Sequence, residues 1–442
     1  MLQLVPVRPK SIDDYRPIVG DRRVEDIQAL AAPLRGARVL HLNATGFGGG
    51  VAELLSTLVP LMQSVGIDAE WRVMAGAPEL WETTKAVHNL LQGAAIADTI
   101  DQVWIRPART RAARSSDLPN ISAPWNPAMV DVWKYYNGLT ADELSEGYDF
   151  VVVHDPQPAG VRCLLDSRIS GWTTRWIWRC HIDLTRANPT VWDFLRPYLA
   201  PYDAAIFTML EYVKPDTPVR EIALIAPAID PLSVKNLPLS RERAGEILRR
   251  YGVDPERPLI CQVSRFDPWK DPLGVVDVYR RLKRQCPALQ LALVGSMAAD
   301  DPEGWRYFEL TARHAGEDPD IHLLTNVSGV GNEEVNAFQT SANVVLQKSI
   351  REGFGLTVSE ASWKGRPVVA TSVGGIPLQV ASGQTGYLVG STREFVERTR
   401  ELLEDHDLAN TFGAAGRERV RDNFLMTRDL SDYLQLFRRL SK

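Results

Sequence analysis

Asn343-Val-Val-Leu-Gln347 and then Ser349-Ile-Arg-Glu-Gly-Phe-Gly-Leu-Thr-Val-Ser-Glu360 form the stretch on which the fold turns. The apolar run reads as a buried strand, Gly353-Phe354-Gly355 as a tight loop, and the residues from about Leu356 as a helix start. Gly353 and Gly355 let backbone N–H groups approach a ligand, and the helix aims its positive end at the same place, so an anion is the natural occupant. Glu352 in the loop and Glu360 one turn into the helix stand eight residues apart. They can grip different parts of one extended ligand, although a glutamate near a helix start also answers the dipole of its own helix.

The same alternation of apolar runs and helical patterns extends in both directions, through 442 residues that exceed one ordinary core. A first series is expected at Ala37–Leu42, Ala69–Met74, Phe150–His154, Thr174–Arg179 and Ala204–Phe207, with a helix over Val51–Ser64. Residues 106–127 read as a long loop. A second series is expected at Leu259–Val263, Leu289–Val294, Ile321–Leu324, Val344–Leu346, Pro367–Ala370 and Gly386–Val389. Between them the proline-broken segment Ala226–Pro238 reads as a connector. The chain is therefore expected to be α/β, with two doubly wound domains over 1–230 and 231–425 and a last helix within 426–442.

A charged fraction of 24% and a net charge of −5 give no electrostatic case for nucleic acid. The basic runs Arg106–Arg114 and Arg438-Arg439 read as solvated faces. Four cysteines without metal-ligand spacing point away from zinc and disulfides and towards a reducing cytoplasm. No run is long and apolar enough to suggest a membrane span.

The remaining motifs each follow an expected strand, where open α/β sheets bind ligands. In Arg265-Phe-Asp-Pro-Trp-Lys270, a planar guanidinium and a mobile ammonium five residues apart can clamp a diphosphate. Asn43-Ala-Thr-Gly-Phe-Gly-Gly-Gly-Val51 exposes backbone N–H groups at Gly48 and Gly49 before a helix. It lacks the third glycine of a dinucleotide fingerprint and the Walker lysine. His154-Asp155 and Arg179-Cys-His181-Ile-Asp183 end two further strands. His154 can donate into a sugar site, whereas Arg179, His181 and Asp183 suit either an acceptor lining or a structural role. The Gly374-Gly375 turn suits a ligand loop or the close passage of two backbones.

The E-G-F-G-L run with Glu360 resembles the signature of retaining glycosyltransferases of the GT-B fold, family four. Asn43–Leu55, Val152–Pro158, Trp178–Asp183, Val191–Arg196 and Gln347–Leu356 together are similar to trehalose synthases of the glycosyltransferring type. That resemblance implies two Rossmann-like domains facing a cleft, with the last helix returning to the first. It implies transfer of glucose from a nucleoside diphosphate glucose to free glucose, giving α,α-trehalose reversibly. Arg265, Lys270 and Gly353–Leu356 would surround the diphosphate and sugar, Glu360 the ribose, Glu352 and His154 the transferred glucose, and Asp155, Arg179, His181 and Asp183 the acceptor. No organic cofactor is implied, no visible ligand set calls for a divalent metal, and a homodimer is expected. A retaining trehalose phosphorylase using glucose 1-phosphate, or a silent sugar- or nucleotide-binding protein of the same fold, stays open at this point.

Overall fold

The computed structural model describes residues 2–46, 49–93, 95–96, 120–121, 125–145, 147–165, 173–297 and 302–442. The basic run Arg106–Arg114 and Gly48 lie outside them. The chain divides into two compact units, one formed by Met1–Pro227 with Met426–Lys442 and the other by Ala228–Leu425.

The described strands are β1 (Gln3–Leu4), β2 (Arg38–Asn43), β3 (Asp68–Val73), β4 (Ala95–Ile96), β5 (Asn120–Ile121), β6 (Phe150–His154), β7 (Arg175–Arg179), β8 (Ala204–Phe207) and β9 (Glu221–Leu224) in the first unit. The second unit holds β10 (Leu259–Val263), β11 (Gln290–Gly295), β12 (Ile321–Thr325), β13 (Val344–Gln347), β14 (Val368–Thr371) and β15 (Gly386–Val389).

In the first unit the main sheet runs β1-β3-β2-β6-β7-β8-β9. All neighbours are parallel except β1 against β3. The order reverses direction beside β2, the switch point typical of a doubly wound sheet. All five residues of β6 are buried, as a parallel strand covered on both faces requires. Leu40, Leu42, Val151, Val153, Trp176 and Trp178 build the core on one face. The helix Met426–Leu440 covers the other, with Phe437 stacked on Phe150 at 4.4 Å between ring centroids and Tyr433 edge-on to His41.

The second unit carries an all-parallel sheet ordered β12-β11-β10-β13-β14-β15. Its two faces pack separate cores, one around Cys261, Val345 and Phe338, the other around Ile260, Leu346 and Tyr279. Because β10 and β13 pair directly, the loops after them emerge side by side. Strand adjacency, which the sequence does not state, thus brings Arg265–Lys270 beside Ser349–Leu356.

Candidate active site

After β10, Asp267 caps a short 3-10 turn over Pro268–Lys270, its Oδ1 accepting the Lys270 N–H at 3.2 Å. This turn aims Lys270 at the neighbouring loop. Its Nζ lies 2.5 Å from Glu352 Oε2, which also accepts from Ser349 Oγ at 3.1 Å and Gln347 Nε2 at 3.3 Å. Gln262 ties the two loops together, donating to the Lys270 carbonyl at 2.9 Å and accepting the Lys348 N–H at 2.8 Å. Lys348 Nζ pairs with Asp271. Arg265 is more than half exposed, with Nη2 in charge contact with Asp267 Oδ2 at 2.8 Å.

Gly355 caps the helix Leu356–Trp363 at φ 84°, a left-handed conformation that glycine adopts without strain. A Cβ on Gly375 would fall 2.8 Å from the Gly353 carbonyl oxygen, so that turn lets two backbones pass closely. Phe354 is buried against Phe424 and fixes the loop from behind. Glu360 is fully buried, with Oε1 3.1 Å from Lys235 Nζ, and its Oε2 has no hydrogen-bond partner. Four cations of this unit, Arg265, Lys270, Lys348 and Lys235, thus each face a carboxylate. A diphosphate can exchange with such partners because it offers the same oxygens at higher charge.

In the first unit His154 and Arg179 end β6 and β7 and stand opposite each other in register, while His41 in β2 stands opposite Val152. Side chains alternate along a strand, so His41, His154 and Arg179 share the face covered by the C-terminal helix. His41 Nδ1 lies 3.0 Å from His154 Nε2, and His154 Nδ1 lies 3.0 Å from His181 Nε2. Both ring nitrogens of His154 are therefore occupied. Of the three rings His181, not His154, is the partly exposed one. Burial pushes His41 down to about 3. Burial, His41, His181 and Arg179 hold His154 well below its usual range, as burial and Arg179 do for His181.

Asp155 adopts φ 64°, a strained conformation for a residue with a side chain, and its Oδ1 accepts the His181 N–H at 2.8 Å. Burial pushes Asp155 up to about 7 and Asp429, on the covering helix, up to about 6. Arg179 is 1% exposed, and its Nε and Nη1 find no partner. Asp183 Oδ1 accepts the N–H and hydroxyl of Thr185, a local turn that orients it. Gly49 opens the helix Gly49–Ser64.

The structure thus brings Lys270 to Glu352 in one unit and His154 to His181 and Asp155 in the other, whereas Asp183 is tied to Thr185, Gly49 only begins a helix and Gly48 lies outside the described residues. Sequence reasoning missed His41, Lys235, Lys348 and Gln262. Gln262 is the single polar residue of its strand and His41 interrupts the apolar stretch Val39–Leu42, and that interruption was the only available signal. Lys235 lies in the proline-broken connector, where nothing marks a partner 125 residues away. Among the described residues no group of three or more His, Cys, Asp or Glu is placed to hold a metal ion, and no helix is long and apolar enough to cross a membrane.

A family model described as glycosyl transferases group 1 matches residues 244–419, and one described as trehalose synthase, N-terminal domain, matches 41–119 and 118–214. A trehalose synthase of Rubrobacter xylanophilus is 50% identical over 443 residues, covering 100% of this chain and 99% of that protein. The chain belongs to the trehalose synthase family. This trehalose synthase family member has a more distant likeness to a trehalose phosphorylase of Grifola frondosa, 30% identical over 93% of this chain and 58% of the phosphorylase. A solved UDP-forming α,α-trehalose-phosphate synthase from Burkholderia xenovorans superposes with a TM-score of 0.68 at 15% identity, covering 92% of this chain and 100% of that one. That likeness concerns the fold, which is the two-sheet GT-B architecture of glycosyltransferases.

Proposed function

We propose that this glycosyltransferase moves glucose from a nucleoside diphosphate glucose to free glucose, with retention at the anomeric carbon, forming α,α-trehalose reversibly. The observation that supports the reading is the Lys270–Glu352 pair, 2.5 Å from Nζ to Oε2 beside a helix N-terminus, in which the reading takes the cation for phosphate and the carboxylate for sugar hydroxyls.

In this reading Arg265, Lys270 and the backbone from Gly353 to Leu356 take the diphosphate, and Glu360 takes the ribose hydroxyls once Lys235 yields. As the anomeric C–O bond to phosphate breaks, negative charge grows on the diphosphate and positive charge on the sugar. Fixed cations and the helix terminus stabilise the first without reorganising. The acceptor oxygen bonds to the anomeric carbon on the same face, and its proton passes to the departing phosphate oxygen. Glu352, held by a lysine, a serine and a glutamine, positions the glucose hydroxyls. A glycosidase-type nucleophile would instead work as one of two nearby carboxylates.

The acceptor glucose is assigned to Asp155, Arg179, His181 and Asp183, with His154 supporting the transferred sugar through them. The reading includes no organic cofactor or metal. It also includes a homodimer in the cytoplasm, the location being in keeping with four cysteines that form no disulfide.

A phosphorylase remains the second reading, because the relationship to trehalose phosphorylases spans 93% of this chain and Arg265 and Lys270 suit inorganic phosphate equally well. Running the reaction backwards separates the two. Trehalose with a nucleoside diphosphate should yield the nucleotide sugar, and trehalose with phosphate alone should yield nothing. Glucose 1-phosphate formed from phosphate alone would establish the phosphorylase.

A further inference from the structure

The assignment of acceptor contacts to His181 leaves a buried residue of the same unit unused. His41 sits in the middle of β2 at 0% exposure. It begins a chain of three imidazoles, His41 Nδ1 to His154 Nε2 and His154 Nδ1 to His181 Nε2, each step 3.0 Å.

A neutral imidazole has one N–H and one lone pair. His154 meets an imidazole at each nitrogen, so it donates at one end and accepts at the other. The donors must then run in one direction through all three rings. Running outward, His41 Nδ1–H donates to His154, His154 Nδ1–H donates to His181 Nε2, and the His181 proton stands on Nδ1. Running inward, the order reverses and a proton is left on His41 Nε2.

The inner end decides between them. His41 Nε2 is buried and has no hydrogen-bond partner, and the ring packed against it is Tyr433, edge-on at 5.9 Å between centroids. A lone pair is tolerated there more readily than an N–H, since orphaned buried donors are the rarer and costlier case. Burial and the nearby Arg179 charge keep His154 and His181 neutral, and burial alone does so for His41, so the count of one proton per ring holds. The sealed end also prevents the chain from conducting a proton. It can orient but not relay.

We infer that His41 is a positioning residue that, through His154, holds His181 in the Nδ1–H tautomer, so that His181 presents a hydrogen-bond donor to a hydroxyl oxygen of the acceptor sugar. The inference rests on the acceptor reading above for its ligand, but the tautomer itself does not depend on it. Free histidine in water favours the opposite tautomer, with the proton on Nε2, so the two states are readily told apart.

The test is a long-range nitrogen–proton correlation spectrum of the full chain labelled at its seven histidines, with His181→Gln used only to assign the His181 signals. The native protein should show His181 protonated at Nδ1 and bare at Nε2. In His41→Leu that signal should become a mixture of tautomers, kcat should fall about tenfold, the rate equivalent of one net hydrogen bond, and the donor KM should stay unchanged. His41→Asn, whose amide can replace the Nδ1 donor, should restore much of both. A native His181 protonated at Nε2, or a tautomer indifferent to His41→Leu, would overturn the inference. Failure of the native protein to use glucose as acceptor would overturn the acceptor reading and leave the tautomer assignment standing.

Discussion

Lys270 Nζ and Glu352 Oε2 lie 2.5 Å apart across 82 residues of chain, with side chains only 15% and 9% exposed. The contact exists because β10 and β13 are sheet neighbours, and it pairs the two groups to which the proposed transfer gives the diphosphate and the glucose. Separating them changes both halves of the site.

Glu352→Gln should keep the fold, since glutamine still accepts from Ser349. It should lower turnover by about 100-fold, the scale of losing one preorganised polar group at a reacting centre. Steady-state kinetics alongside circular dichroism check this, and near-native turnover would remove Glu352 from the mechanism.

Arg265→Ala and Lys270→Ala should each weaken nucleoside diphosphate binding by about 2 kcal/mol, the value of a charge-assisted hydrogen bond. Calorimetric titration measures it directly. Unchanged affinity in both variants would eliminate the clamp.

Lys235→Met leaves the fully buried Glu360 carboxylate without its cation and should cost about 3 kcal/mol of stability, at the lower end for a broken buried pair because Lys235 keeps 16% exposure. Lys235→Met with Glu360→Gln should recover most of that loss. Denaturant titration of the single and double variants tests the coupling, and additive losses would show that the bridge carries little.

The buried groups under the C-terminal helix pull stability in opposite directions with pH. His41 is pushed down to about 3 from 6.5, and His154 and His181 well below 6.5, so the stability they contribute is complete above 6.5 and lost as pH falls. Asp429 at about 6 and Asp155 at about 7, both raised from 3.8, contribute stability that is complete below 3.8 and lost as pH rises through those values. Below the unfolded histidine value of 6.5 the three histidines make stability rise with pH, and above the unfolded aspartate value of 3.8 the two aspartates oppose that rise. Asp429→Asn removes one opposing proton and should steepen the rise. Denaturant titrations at about pH 4.5 and 6 compare the slopes, and equal slopes would contradict the assignment.

The strands were legible because a parallel sheet buried on both faces writes each strand as a short apolar run. Leu259–Val263 and Gly386–Val389 coincide with β10 and β15, and Ala37–Leu42 differs from β2 by one residue at each end. The edge strands β1 and β9 escaped, being short and partly exposed, although β9 falls in the apolar run Ile222–Ala226. For the site, motif residues after strands could be read, but their partners could not. Which strands neighbour one another decides that Lys270 meets Glu352 and that His41 meets His154, and the sheet order is not written in any local pattern.

Product analysis identifies the glucose donor most directly. The purified protein is incubated with glucose and ADP-, UDP- or GDP-glucose in parallel, with glucose 1-phosphate as a separate arm. α,α-Trehalose should form together with a free nucleoside diphosphate from at least one nucleotide donor, and none should form from glucose 1-phosphate. Trehalose from glucose 1-phosphate alone would contradict the nucleotide-donor reading.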